Sequence, residues 1–92
     1  MKILVVEDDL VVADALKITL SGQKYTVEIA HDGQVGLDFI EAFDYDLVLL
    51  DSILPKLDGV SICRYVRSQG YMMPILLLTS LDIRLDTQPN CQ

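Results

Sequence analysis

The sequence predicts an α/β fold built on a parallel β-sheet, and three features support this prediction. Three short apolar runs, at 3–6, 47–50 and 75–78, each end in polar or acidic residues. Continuous runs of this length are typical of strands that are covered on both faces. A fourth run, at 25–30, alternates more between apolar and polar residues, as expected of a strand nearer the sheet edge. Helical patterns separate the four runs, so strand and helix alternate along the chain.

Each predicted helix has an apolar stripe and recognisable ends. In the first helix, apolar residues recur at every fourth position between Asp9, a predicted N-cap, and Gly22, a predicted end. The second helix, at 33–42, has a polar stripe on one side and an apolar stripe on the other. The third helix, at 59–69, is predicted to end at Gly70. The order βαβαβαβ predicts right-handed crossovers and helices on both faces of the sheet.

Composition limits the function classes. The 92 residues are enough for one domain, and a net charge of -7 opposes binding to nucleic acid phosphates. No apolar run reaches the roughly 20 residues needed to span a bilayer, and the acidic start of the chain does not resemble a signal peptide. Cys63 and Cys91 show no metal-binding or redox spacing and are interpreted as reduced thiols. We therefore expect a cytoplasmic protein without direct DNA binding or membrane contact.

Acidic and hydroxyl side chains follow three of the predicted strands. Glu7 and Asp8 follow the first, Asp51 ends the third, and Thr79 follows the fourth. The carboxyl ends of parallel strands meet at one sheet edge, so the acids converge if the first and third strands are neighbours. Clustered carboxylates repel one another, and two remedies are open: protonation of one of them, or a hard cation such as Mg²⁺, which prefers oxygen ligands. An unprotonated Asp51 could then act as a nucleophile toward phosphorus, with the Thr79 hydroxyl as donor.

Each of these residues also has a purely structural interpretation. Asp8 and Asp9 could cap the first helix, and Thr79 could cap a following one. Asp51 could be a loop acid that accepts hydrogen bonds from the next backbone amides. The Asp58-Gly59 pair is interpreted as a turn.

Four motifs carry a resemblance to a known family. These are ILVVEDD at 3–9, AHDGQVGLDFI at 30–40, DLVLLDSILPKLDG at 46–59 and PILLLTS at 74–80. The sequence resembles a response-regulator receiver domain of two-component signalling. Among the members of this family, its motifs most resemble those of the transcriptional regulators that carry a winged-helix DNA-binding domain.

The resemblance implies a flavodoxin-like, doubly wound sheet with strand order 2-1-3-4-5. It implies that Asp51 is the phosphoacceptor for a histidine kinase and that Thr79 is the switch hydroxyl. It further implies a Mg²⁺ site formed by Asp8, Asp51 and the backbone carbonyl of Ile53, with Glu7 acting through a water. A domain of this kind assists its own phosphorylation and is not an enzyme in the usual sense.

The sequence departs from the family after the fourth strand. No lysine follows that strand, and neither a fifth strand nor a last helix is recognisable in the atypical tail at 81–92. We therefore predict a single truncated receiver domain over 1–92, with strand order 2-1-3-4 and impaired phosphotransfer. The open edge of the fourth strand predicts a homodimer or higher oligomer, unless the tail folds back to cover it.

Two function classes remain open from the sequence. The first is a receiver that still accepts phosphate at Asp51 with Mg²⁺. The second is a non-phosphorylated interaction or dimerisation module, which the missing lysine favours. A hydrolase is the weakest option, because phosphatases with an aspartate nucleophile generally place an acid two residues later, where this chain has Ile53.

Overall fold

A computed structural model describes residues 1–54 and 57–78 of the chain, together with the backbone of 83–86. Within these residues the elements follow the predicted alternation, with the bounds β1 (Lys2–Val6), α1 (Leu10–Ser21), β2 (Thr26–Ala30), α2 (Gly33–Ala42), β3 (Leu47–Asp51), α3 (Gly59–Ser68), β4 (Ile75–Leu78) and β5 (Ile83–Asp86). Thr79, and the tail apart from β5, lie outside the described residues.

The sheet has the order β2-β1-β3-β4-β5, and its first four strands are parallel. This confirms the predicted order 2-1-3-4 and places the first and third strands side by side. In the register, Val6 lies opposite Leu50, and Asp51 lies opposite Leu78. The carboxyl ends of β1, β3 and β4 therefore meet at one edge of the sheet, where ligand sites of open α/β sheets form.

The edge of β4 is not open, which corrects one prediction. β5 pairs antiparallel with β4 along its whole length, from Ile75 opposite Asp86 to Leu78 opposite Ile83. A fifth strand therefore exists, although it is formed by the tail in the antiparallel sense, as in the alternative that the tail folds back. The segment Ile-Arg-Leu-Asp alternates apolar and polar residues, and pairing satisfies the backbone groups that an edge strand leaves free. A fifth parallel strand and a helix after β4 are absent from the described parts of the chain.

Helices cover both faces of the sheet, which explains the continuous apolar runs. Alternate strand residues pack under α2 and α3 in one cluster, whose buried members include Leu4, Val6, Val48, Leu50, Ile75, Leu77, Ile40, Ile62 and Val66. The intervening strand residues Ile3, Val5 and Leu49 pack on the other face with Leu16 and Leu20 of α1. The side-chain alternation of each strand therefore supplies both core layers.

The helix ends largely match their sequence signals. Asp9 is the N-cap of α1, and its side chain accepts hydrogen bonds from the amides of Val11 (2.9 Å) and Val12 (3.2 Å). Gly70, with φ of 89°, follows α3 in the left-handed region that favours glycine. Gly22 caps α1 as predicted, but its φ of −62° is right-handed. The end of α1 therefore does not use the left-handed conformation that favours glycine.

Two further observations concern Cys63 and the lengths of the helices. Cys63 is fully buried and disulfide-bonded, which corrects the interpretation of a reduced thiol. Sequence spacing could not reveal this bond, because it does not say whether the fold brings a second thiol within bonding distance. Among the helices of the described residues, none combines the length and the apolar character needed to cross a bilayer.

Candidate functional site

Three acids converge where β1 and β3 end. Glu7 directly follows β1 and Asp51 is the last residue of β3, so the register of the two strands places them at the same level. Together with Asp8 they bring one carboxylate oxygen each to within 4.8 Å of the others. The expected convergence of Glu7, Asp8 and Asp51 is thus observed. It follows from the neighbouring positions of the first and third strands.

Glu7 is the buried member of this acidic cluster of Glu7, Asp8 and Asp51. Only 5% of its surface is exposed, and its amide donates to the carbonyl of Ala30 at 3.0 Å, which fixes its backbone to β2. Burial, followed by hydrogen bonding to and repulsion from Asp51, raises the pKa of the Glu7 carboxyl from 4.5 to about 7. The amide of Asp9, which donates to Glu7 Oε2 at 3.2 Å, opposes this shift in part. Near neutral pH, Glu7 therefore exchanges a proton readily when no cation is bound.

Asp51 is half-buried, and one oxygen of its carboxylate is held by a backbone hydrogen bond. Its Oδ1 accepts a hydrogen bond from the amide of Ile53 at 3.0 Å, while the next residue, Ser52, donates its amide to the carbonyl of Leu78 at 2.9 Å. The hydrogen bond to a following amide, which the structural interpretation of Asp51 predicts, is therefore present, although Asp51 is the last residue of β3 and not a loop residue. It does not account for the two further carboxyls beside it, because an acid needs no acidic neighbours to accept from an amide.

The roles predicted for Ile53 and Thr79 both stay predictions. The side chain of Ile53 is 73% exposed, and its peptide lies beside Asp51 through the amide hydrogen bond. The role of its carbonyl as a metal ligand stays a prediction. Thr79 lies outside the described residues, so its position relative to Asp51 also stays a prediction; Leu78, which precedes it, lies opposite Asp51 in the sheet.

Gly59 is a site residue whose importance the sequence did not reveal. It is the first residue of α3 and packs against the end of β3, so that a Cβ atom at this position would lie 2.2 Å from the backbone oxygen of Asp51. Its own amide donates to the carbonyl of Ser52 at 3.1 Å. Asp58 is the N-cap of α3 and accepts from the Ser61 amide at 2.8 Å. The Asp58-Gly59 pair thus starts α3 against the site, at the residue where the third helix is predicted to begin.

The hydrogen bonds at Asp58 also set its ionisation. The amide and hydroxyl of Ser61 both donate to its carboxyl and lower its pKa. A glycine directly after an N-cap is the signal that could have revealed the packing. Glycine disfavours a helix by about 1 kcal/mol, so its presence inside the first turn suggests a close approach of backbone.

A surface groove of about 510 Å³ lies apart from the acids. It runs between α1 and the end of β2 and is lined by residues that include Leu10, Asp14, Lys17, Ile29 and His31. None of the three acids lines this groove. The acidic cluster is therefore distinct from the groove.

Comparisons with known proteins agree with this arrangement. Residues 3–88 match the response regulator receiver domain family. Over 82 residues, or 89% of this chain, the sequence is 49% identical to Protein RcaC of Microchaete diplosiphon and 48% identical to the response regulator MprA of Mycobacterium avium. The chain spans 13% of the length of RcaC and 36% of that of MprA.

Solved receiver structures share the fold. A receiver domain of a Francisella response regulator superposes with a TM-score of 0.85 at 32% identity, covering 88% of this chain and 67% of that one. The BeF3-activated receiver domain of Klebsiella pneumoniae RstA gives 0.82 at 40% identity, with 89% and 69% covered. TrrA of Thermotoga maritima, solved in complex with Mg(2+)-BeF, gives 0.82 at 32% identity, with 86% and 69% covered. The fold, the acidic strand ends and these matches together show that this chain belongs to the response regulator receiver domain family.

Proposed function

We propose that this chain is a phosphoacceptor of two-component signalling, in which Asp51 receives a phosphoryl group from a histidine kinase in the presence of Mg²⁺. The observation that carries the proposal is the acidic cluster itself. Its three carboxylate oxygens lie within 4.8 Å of one another, and one of the acids is buried with a pKa of about 7. Such a cluster is costly in the ionised form, and a cation offsets that cost.

The donor set suits Mg²⁺. All the available ligands are hard oxygens, and Mg²⁺ typically binds one or two carboxylates and keeps several waters. Asp8 and Asp51, with the carbonyl of Ile53, would hold the ion directly, and the more buried Glu7 would act through a water. When bound, the ion neutralises the carboxylates and offers a Lewis-acidic contact to a phosphoryl oxygen. TrrA, solved with Mg(2+)-BeF, is a relative of the same fold that binds this pair.

The position of Asp51 at the end of β3, beside Glu7 and Asp8, supports this role. One of its oxygens accepts a hydrogen bond from the Ile53 amide, which orients the carboxylate and leaves the other oxygen for attack. A free carboxylate oxygen attacks the phosphorus of a phosphohistidine. The phosphorus–oxygen bond forms as the phosphorus–nitrogen bond breaks, and the imidazole leaves with the bonding electron pair. The hydroxyl of Thr79 would then donate to a phosphoryl oxygen.

The reaction is stoichiometric, so we propose a regulatory domain and not an enzyme. The net charge of -7 opposes DNA binding by this chain. The cytoplasm is the compartment in which a kinase would reach it.

Intact mass measurement tests the proposal. The protein is incubated with a small-molecule phosphodonor, with and without Mg²⁺, alongside Asp51→Asn and the control Asp38→Asn, an exposed acid on α2 that undergoes the same change of charge. We expect a Mg²⁺-dependent gain of one phosphoryl group in the parent and in the control, and none in Asp51→Asn. Folded parent protein that gains nothing contradicts the phosphoacceptor role. That result would leave the non-phosphorylated interaction module as the function.

A further inference from the structure

The start of α2 lies in close contact with the end of the loop that joins β3 to α3. Gly33 is the first residue of α2 and is buried. A Cβ atom at this position would lie 2.3 Å from the backbone oxygen of Leu57 and 2.9 Å from its Cβ, whereas ordinary contacts of this kind begin near 3.4 Å. The contact therefore requires glycine, because a side chain here would overlap backbone that cannot rotate away.

The helix is the stiffer of the two partners in this contact. Gly36 of α2 lies against the end of β1, where an added Cβ would be only 2.8 Å from both methyl groups of Val6. Ile40, one turn further along, is buried in the core cluster under α2 and α3. Close packing of this kind leaves a helix little room to move. The loop must therefore adapt to α2, and Gly33 determines where Leu57 lies.

The position of Leu57 affects the site through a closed stretch of chain. The amide of Gly59 donates to the carbonyl of Ser52 at 3.1 Å, so residues 52–59 form a ring closed by a hydrogen bond. Ile53 belongs to this ring, and its exposed side chain provides no packing to hold its peptide in place. A displacement of Leu57 must be taken up within the ring, and the weakly packed Ile53 peptide can move with it.

From these contacts we infer that Gly33 is a positioning residue for the Mg²⁺ site, in which the start of α2 fixes the loop and, through it, the carbonyl of Ile53. The inference rests on the proposed function, because it needs that carbonyl to be a metal ligand. Gly33 acts only through Leu57 and supplies no ligand of its own. Two glycines thus hold the loop, since Gly59 packs against its start and Gly33 against its end.

Two variants disturb this contact by different routes, and a third is the control. Gly33→Ala forces Leu57 away from α2, whereas Leu57→Ala removes most of the side chain that packs on the core cluster and so loosens the loop. Gly36→Ala makes the same change as Gly33→Ala on the same helix, but its overlap falls on the side chain of Val6, outside the loop.

Two measurements are made on each variant under conditions in which it is folded. In amide NMR spectra of metal-free protein, Gly33→Ala and Leu57→Ala should each shift the Ile53 signal from its position in the parent. A Mg²⁺ titration followed by the same spectra should give a Kd raised about tenfold in both variants, as is typical when the support of a ligand is lost. Gly36→Ala should leave the Ile53 signal and the Kd unchanged, although it also lowers stability. A general loss of packing would affect all three variants alike.

The inference is overturned if the Ile53 signal or the Kd stays as in the parent in Gly33→Ala, or if Gly36→Ala raises the Kd equally. If Gly33→Ala does not fold, Leu57→Ala decides by the same criteria. A parent that binds Mg²⁺ and gains a phosphoryl group at Asp51, beside a Gly33→Ala variant of unchanged Kd, refutes this inference alone. A parent that binds no Mg²⁺ refutes the metal site itself and the positioning role with it.

Discussion

Replacement of Gly59 by alanine tests how closely α3 packs against the site. A Cβ atom at this position would lie 2.2 Å from the Asp51 carbonyl oxygen and 2.8 Å from the Ser52 Cα. Ordinary contacts of this kind begin near 3.4 Å, so the overlap exceeds 1 Å and falls on backbone, which cannot rotate away. Overpacking typically costs 1–3 kcal/mol, while the gain in helix propensity from glycine to alanine is about 1 kcal/mol. We therefore expect a net destabilisation of about 1–2 kcal/mol.

Gly22→Ala is the matched control, because the same change should have the opposite sign. Its added Cβ would have no contact closer than 3.4 Å, and its backbone is already helical. This substitution should stabilise the protein by about 0.4–1 kcal/mol, through the lower entropy of the unfolded chain. Urea unfolding at constant pH, with both variants compared with the parent, gives the two free energies. A Gly59→Ala protein as stable as the parent would refute the close packing.

The same substitution has a consequence for the site. The atoms displaced by the new methyl group belong to the peptide that carries Asp51. A shift of about 1 Å in a reacting group can cost a hundredfold in rate. Phosphorylation of Gly59→Ala by a small-molecule donor should therefore slow under conditions in which the variant is fully folded, while Gly22→Ala reacts like the parent.

Two further predictions concern the start of α1 and the acidic cluster. Asp9→Ala removes the acceptor for the amides of Val11 and Val12 and should lower the free energy of unfolding by about 1 kcal/mol, as measured by urea unfolding. Asp9→Ser keeps a capping oxygen and should retain most of the parent's stability. In metal-free protein, the raised pKa of Glu7 means that stability present below pH 4.5 is lost as pH rises through 7. Glu7→Gln lacks this loss, so its unfolding free energy should exceed that of the parent increasingly across this window, by at most about 3 kcal/mol. A difference that does not vary with pH would contradict the assigned pKa.

The sequence predicts the parallel sheet well because its signals are local and agree with one another. The run 47–50 is apolar throughout, as a strand under two helical layers requires, and Asp9 and Gly70 are found at the helix ends that they predict. The convergence of Glu7 and Asp51 also follows, since it depends only on β1 and β3 being neighbours. These features need no knowledge of which atoms touch.

The features that the sequence does not predict depend on contacts between distant segments. The approach of Gly59 to Asp51 depends on how closely α3 packs against the end of β3, which no local sequence pattern specifies. The antiparallel pairing of β5 depends on competition for the edge of β4, and four residues carry too weak a pattern to decide it. The disulfide at Cys63 is likewise a tertiary event.

The placement of Glu7 has a consequence for how the site responds to cations. Its amide is bonded to Ala30 within the sheet and its side chain is buried, so the carboxyl cannot move away from Asp51 to relieve repulsion. Two means of relief remain, namely a proton on Glu7 or a cation among the three acids. Because both neutralise the same repulsion, they compete, and binding of a cation must release part of a proton near pH 7. Cation affinity should therefore rise with pH through that range, a dependence set by the burial of one residue at the end of β1.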